Sequence, residues 1–186
     1  MLTLVLGGAA SGKSEYAEKL AAGGRSGDEM SRKLLYLATM QHGPSAEARI
    51  RRHVKQREGL GFETLEDPFL EKIPAEEGQE YFSVILLEDI PNLLANRMFS
   101  RRSPGEEKEH AHSLPQDIAE AVIRLRQVSE ELIIVSGDIF RDGTDYTEET
   151  ERYINYLGEL NCRLAEEADR VVEVVCGIPV DLKVNR

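Results

Sequence analysis

A strand that runs straight into a glycine turn of phosphate size leaves a chain few folds to choose from, and residues 2–14 spell out such a unit. Leu2 to Leu6 is an unbroken apolar run, the pattern of a strand covered on both faces. Gly7 to Ser14, GGAASGKS, follows with the spacing G-x-x-x-x-G-K-S, and Glu15 to Ala22 then reads as a helix. Gly7 and Gly8 offer backbone conformations that side chains disfavour as the chain leaves the strand. The N–H groups of the turn, Ala9, Ala10 and Ser11 included, then face inward as a nest for phosphate oxygens. Gly12 allows close approach to the phosphates, Lys13 supplies a point charge to the outer ones, and Ser14 supplies a hydroxyl for Mg²⁺. The dipole of the following helix also favours an anion there. The expected ligand is a nucleoside triphosphate.

Further apolar runs alternate with helical patterns. KLLYLAT at 33–39 is a second strand, FETLE at 62–66 a short alternating one, and FSVILL at 82–87 a strongly buried one. LIIVS at 132–136 and Val171 to Val175 complete the series, and the tail after Gly177 suits an edge strand. Between them lie expected helices at 45–56, 90–98, 117–128 and 147–167. Ser45 is the expected N-cap of the first of these, with Gly59 beyond its end. Asp145 is the expected cap of the last, with Glu148 at the capping-box position. Residues 67–80 read as a short helix plus loop. The polar stretch 99–116 has no apolar period and reads as a mobile loop or disordered insertion. Strand–helix alternation predicts an α/β fold, a mostly parallel sheet with helices on both faces, in a single domain over 1–186.

The 186 residues carry a net charge of −11, which argues against nucleic acid or an anionic membrane as partner. No apolar run is long enough to span a membrane, and no signal peptide is evident. Cys162 and Cys176 lack metal-site spacing and read as reduced, mostly buried thiols. A cytoplasmic enzyme is the expected class.

Two more positions carry chemistry. Glu88 and Asp89 close the apolar strand at 82–87, where a nucleotide-binding protein places its Mg²⁺-directed carboxylate. Both qualify, and a solvated strand-end acid is the plain alternative. His53 is the only one of the four histidines on an expected helix, in RIRRHVKQR at 49–57. Ile50, His53, Val54 and Arg57 share one expected helix face, and Arg49 and Arg57 lie one turn either side of the ring. A neutral imidazole there can attack phosphorus and hold a phosphoryl group, with the arginines binding its oxygens and disfavouring the charged ring. From composition alone, a surface histidine among solvated basic residues is the plainer reading. His110 and His112 read as part of the polar linker.

These residues together resemble the bifunctional adenosylcobinamide kinase / adenosylcobinamide-phosphate guanylyltransferase family of cobalamin biosynthesis. The likeness spans nearly the whole chain. It runs through GGAASGKSEYAEKL, YLAT at 36–39, RIRRHVKQR followed by FETLED, LLED at 86–89 with Asn96 beyond, and LGELNCRLAEEADRVVEVVCGIP. The resemblance implies a P-loop NTPase fold of the RecA-like type. It implies that Gly7 to Ser14, Arg49, Arg57 and Glu66 bind nucleotide, that His53 becomes guanylylated, and that Glu88 rather than Asp89 joins Ser14 at Mg²⁺. ATP and GTP are the implied nucleotides, a cobinamide-type corrinoid the substrate, and a homotrimer the assembly. The chain departs from the family pattern in places. Ser136-Gly137-Asp138-Ile139-Phe140 stands where the family has (T/S)-N-E-V-G, and Ser45 to Ala48, Phe62 and Pro91 also differ. On the residues alone, a kinase that has lost the transferase step and a nucleotide-sensing protein stay open.

Overall fold

The computed structural model describes residues 1–23, 32–43, 47–72, 81–99, 114–139 and 146–185. The elements are β1 (Leu2–Leu6), α1 (Lys13–Gly23), β2 (Leu34–Ala38), α2 (Glu47–Arg57), β3 (Phe62–Glu66), β4 (Phe82–Glu88) and α3 (Ile90–Phe99), followed by α4 (Leu114–Arg124), a 3₁₀ turn (Leu125–Val128), β5 (Ser129–Val135), α5 (Glu148–Glu167), β6 (Arg170–Val175) and β7 (Ile178–Val184). Among the described residues the strands form one seven-stranded sheet in the order β3-β2-β4-β5-β1-β6-β7. Every pairing is parallel except β6 with β7, the expected edge strand.

Strand alternation sorts the apolar residues onto two faces. Leu2, Leu4, Ile85 and Leu87 pack on one face with buried residues of α3, α4 and α5. Val5, Val84 and Leu86 pack on the other with Ala17 and Ala21 of α1. Small residues on α1 let that helix lie close to the sheet. Helices therefore cover both faces, and the central strands read as apolar runs because neither face meets water. The outer strand β7 differs: Ile178, Val180, Leu182 and Val184, two residues apart, are all exposed. Lys183 of this strand donates to the carbonyls of Ala165 and Glu166, closing the C-terminal end of α5.

Several sequence expectations are corrected in detail. Residues 67–72, the described part of the expected short helix plus loop at 67–80, form a turn, and 73–80 lie outside the described residues. Asp67 is buried, and its carboxylate accepts the N–H groups of Glu71 and Lys72, which tightens the chain locally. The fourth helix starts at Leu114 and ends in the 3₁₀ turn, and Phe99 belongs to α3, so both ends of the expected 99–116 insertion are helical. Its remainder, 100–113 with His110 and His112, lies outside the described residues, as do Ser45, Asp145 and Phe140. The cap of α5 is Thr147, whose side chain accepts from the N–H of Thr150. The cysteines are free, as expected, but exposed. Cys162 sits on the solvent side of α5, next to the inward-facing Asn161, and Cys176 lies in the β6–β7 turn with φ of 51°. No helix among the described residues is long and apolar enough to cross a membrane.

Candidate active site

The phosphate-sized loop sits between β1 and α1, at the C-terminal edge of the sheet, where nucleotide sites of this architecture lie. Its left-handed residues are Ala10 (φ 56°) and Gly12 (φ 90°), not Gly7 and Gly8. Gly7 is required by space instead. A Cβ there would lie 2.5 Å from Ser11 Oγ and 2.8 Å from the Val174 carbonyl, whereas one at Gly8 would meet nothing within 4 Å. Gly7→Ala is therefore expected to cost roughly 1–3 kcal/mol of stability, and Gly8→Ala less than about 0.5 kcal/mol, measured by thermal denaturation. The loop is held from behind. The Gly177 N–H donates to the Ser11 carbonyl at 2.7 Å, and the Asp138 N–H donates to the Gly7 carbonyl at 3.1 Å. Asn161 steadies the second strut by accepting from the Ser136 hydroxyl and donating to the Gly137 carbonyl. Lys13 Nζ reaches across the loop to the Gly8 carbonyl at 3.2 Å.

The structure brings Ser14 and Glu88 together. The Ser14 hydroxyl donates to Glu88 Oε1 at 2.5 Å, while Glu88 Oε2 is buried without a partner among the described residues. Strand parity aims Glu88 to the α1 face, as it does Val84 and Leu86. Burial pushes its carboxyl up to about 7, with the charge of Asp89 adding to the rise. The Ser14 hydrogen bond and His53 pull it down, and Glu18 adds a smaller upward push. Asp89 is occupied differently: its Oδ1 accepts from the backbone and side-chain N–H groups of Asn92, at the first turn of α3. Nearby, Asn96 donates to the carbonyls of Thr39 and Pro68, joining the ends of β2 and β3 to α3.

His53 and Arg57 both point inward from α2. His53 Nδ1 lies 3.6 Å from Glu18 Oε1 of α1, the two side chains 12% and 3% exposed. The Arg57 guanidinium lies 3.4 Å above the centre of the Tyr36 ring, with Nη1 buried and without a hydrogen-bond partner among the described residues. Burial raises the Tyr36 hydroxyl well above its ordinary range. Val54, expected on the same face, is exposed, since one residue turns the helix by about 100° and only the i, i+4 pair stays in line. Of Arg49 only the backbone, within α2, is described. Glu66 stands apart from the cluster. It is exposed at the end of β3, paired with His42 Nε2 at 2.8 Å, with Ala38 of β2 between its strand and Glu88.

Sequence reasoning missed Glu18 and Tyr36. Glu18 is four residues after Ser14, hence on the same side of α1, and this spacing was the available signal. Tyr36 was read only as part of an apolar strand.

The geometry sets a glycine-rich loop of phosphate size beside a hydroxyl–carboxylate pair, with a histidine reaching the same helix. Residues 3–182 match the family model described as cobinamide kinase / cobinamide phosphate guanyltransferase. The chain belongs to this family. It is accordingly an α/β enzyme of P-loop NTPase type, acting in cobalamin biosynthesis as a kinase and guanylyltransferase on nucleoside triphosphates. Among curated relatives, the bifunctional adenosylcobalamin biosynthesis protein CobP of Pseudomonas aeruginosa is 29% identical over 187 residues, covering 98% of each chain. The bifunctional adenosylcobalamin biosynthesis protein CobU of Escherichia coli K12 is 27% identical over 190 residues, covering 98% of this chain and all of the relative. Membership in the cobinamide kinase / guanyltransferase family leaves the roles of the individual residues to the geometry.

Proposed function

We propose that this enzyme phosphorylates the aminopropanol hydroxyl of adenosylcobinamide with ATP or GTP. It then moves GMP from GTP through His53 to the new phosphate, giving adenosyl-GDP-cobinamide and pyrophosphate. The observation that carries the reading is the packing of His53 against Glu18. Glu18 is one helical turn beyond Ser14, so a triphosphate seated in the loop lies within reach of the imidazole. Lys13 and the loop N–H groups hold the outer phosphates, and Arg57, with Arg49 of the same helix, serves charge developing around the α-phosphorus. Glu66 is kept as a nucleotide contact from the family resemblance, at the outer rim.

Ser14 and Glu88 would hold Mg²⁺. A hydroxyl and a buried carboxylate with a free oxygen suit a cation that takes its remaining ligands from water and phosphate. Among the described residues there is no cluster of three or more metal-type side chains, so the protein supplies only part of such a shell. When bound, Mg²⁺ neutralises phosphate charge during transfer. The homotrimer implied by the resemblance is part of this proposal, and light scattering should then return about three times the 20.9 kDa of one chain.

Incubation with GTP and Mg²⁺ followed by intact mass analysis tests the transferase half. A GMP-sized, acid-labile and alkali-stable adduct is expected on the wild-type chain and none on His53→Asn. An unmodified wild-type protein that is folded and binds GTP would remove the transferase claim.

A further inference from the structure

Glu18 is a buried carboxylate. It is 2% exposed on the face of α1 that otherwise carries Ala17 and Ala21 against the sheet. A buried charge without a partner is costly. The group that meets it is His53, from a different element: Oε1 lies 3.6 Å from Nδ1, and neither atom has a hydrogen-bond partner among the described residues. That separation is just beyond a hydrogen bond, and distances of this kind shorten when a catalytic complex forms.

We infer that Glu18 is the positioning residue of His53. Its carboxylate holds the ring hydrogen on Nδ1, leaves the lone pair on Nε2, and directs the guanylyl group to Nε2. The inference rests on the guanylyl-transfer reading above. An ionised carboxylate only accepts, so the ring nitrogen facing it is the donor, and in a neutral imidazole the other nitrogen then holds the lone pair. Access agrees with this. Nδ1 is fully buried although the side chain keeps 12% of its surface open, so that opening lies away from Nδ1. An incoming phosphorus has no room at Nδ1.

The chemistry balances without a separate base. The Nε2 lone pair bonds to the α-phosphorus of GTP, the bond from that phosphorus to the bridging oxygen of the β-phosphate breaks, and pyrophosphate leaves with the electron pair. The ring is now cationic, its proton still on Nδ1 and opposite the Glu18 carboxylate. In the second transfer an oxygen of the cobinamide phosphate attacks the same phosphorus. The N–P bond breaks, its electron pair returns to Nε2, and the neutral Nδ1–H ring is restored. A carboxylate that fixes a tautomer and steadies the cation plays the same part in hydrolase triads.

The test uses the full chain labelled with ¹⁵N-histidine, with His53 assigned by His53→Asn. Long-range ¹H–¹⁵N spectra at pH 8 are expected to show the Nδ1–H tautomer, and the adduct formed with GTP and Mg²⁺ to sit on Nε2. Glu18→Gln and Glu18→Ala should slow adduct formation on the order of 10²- to 10⁴-fold, with the KM for GTP changed only a few-fold. A purely structural role would not separate rate from KM in this way. An Nε2–H tautomer, an adduct on Nδ1, or an unchanged rate in both variants overturns the assignment. Absence of any adduct on the wild type would defeat the guanylyl-transfer reading instead. The tautomer spectrum, which needs no variant of Glu18 and no turnover, would then still decide the role of Glu18.

Discussion

Glu88→Gln should give a protein that is more stable at alkaline pH than the parent and nearly inactive. The carboxyl is buried beside Asp89, and its folded-state value of about 7 lies above the ordinary 4.5. The sign follows from proton counting. Below about pH 4.5 the group is protonated in both states and contributes nothing. Between that value and about 7 the unfolded chain releases its proton while the folded one keeps it, so stability falls as pH rises. Above 7 the full cost is present, about 3 kcal/mol for a shift of this size. Glutamine keeps the shape and an oxygen for the Ser14 hydroxyl, and does not titrate. The gap in melting temperature between variant and parent should therefore be small at pH 5 and open to roughly 6–12 °C by pH 8. Parallel melting curves across that range would refute the buried-charge account. Activity should move the other way, with both transfers slowed on the order of 10²- to 10³-fold, as expected when a carboxylate proposed to hold Mg²⁺ is lost.

The second large effect separates the two reactions. Lys13→Ala removes the point charge proposed to serve both reactions, and phosphorylation and guanylylation should fall together, on the order of 10²- to 10³-fold each. His53→Asn deletes only the proposed nucleophile. It should lower GDP-cobinamide formation on the order of 10⁴-fold or more, with phosphorylated cobinamide accumulating in its place. Chromatography of corrinoid products from ATP and GTP reads both steps in one assay. Equal loss of the two products in His53→Asn would show that the imidazole serves binding or folding rather than transfer. Equal retention in Lys13→Ala would place the triphosphate somewhere other than the loop.

The parts of this site legible in the sequence are those whose physics is local. The strand–loop–helix unit at 2–22 is encoded by adjacent residues, and the parallel sheet follows from apolar runs such as 82–87 that tolerate water on neither face. The choice between Glu88 and Asp89 was also available in principle, because residues two apart share a face and Val84 and Leu86 set the parity. Glu18 was hidden for a different reason. In SEYAEKL it looks like one charge of a solvated helix face, and its burial depends on the sheet and on α2, neither of which is local to the helix. Arg57 was legible as a cation but not as a ring-stacked one, since the contact with Tyr36 joins two elements. The loop glycines misled in detail. Close approach of Val174, far along the chain, explains Gly7, while the left-handed conformations fall on Ala10 and Gly12. The cysteines were misread because exposure depends on which side of α5 faces water and on how the β6–β7 turn ends, neither of which composition reports.

The turn between β6 and β7 has a consequence of its own. Through the Gly177–Ser11 hydrogen bond and the close approach of Gly12 to Gly177, the closing hairpin is a backstop for the opening loop. The proposed phosphate grip is then only as stiff as a ribbon added at the far edge of the sheet. Linkage makes the dependence mutual: whatever steadies the ribbon tightens the grip, and an occupied grip steadies the ribbon by the same free energy.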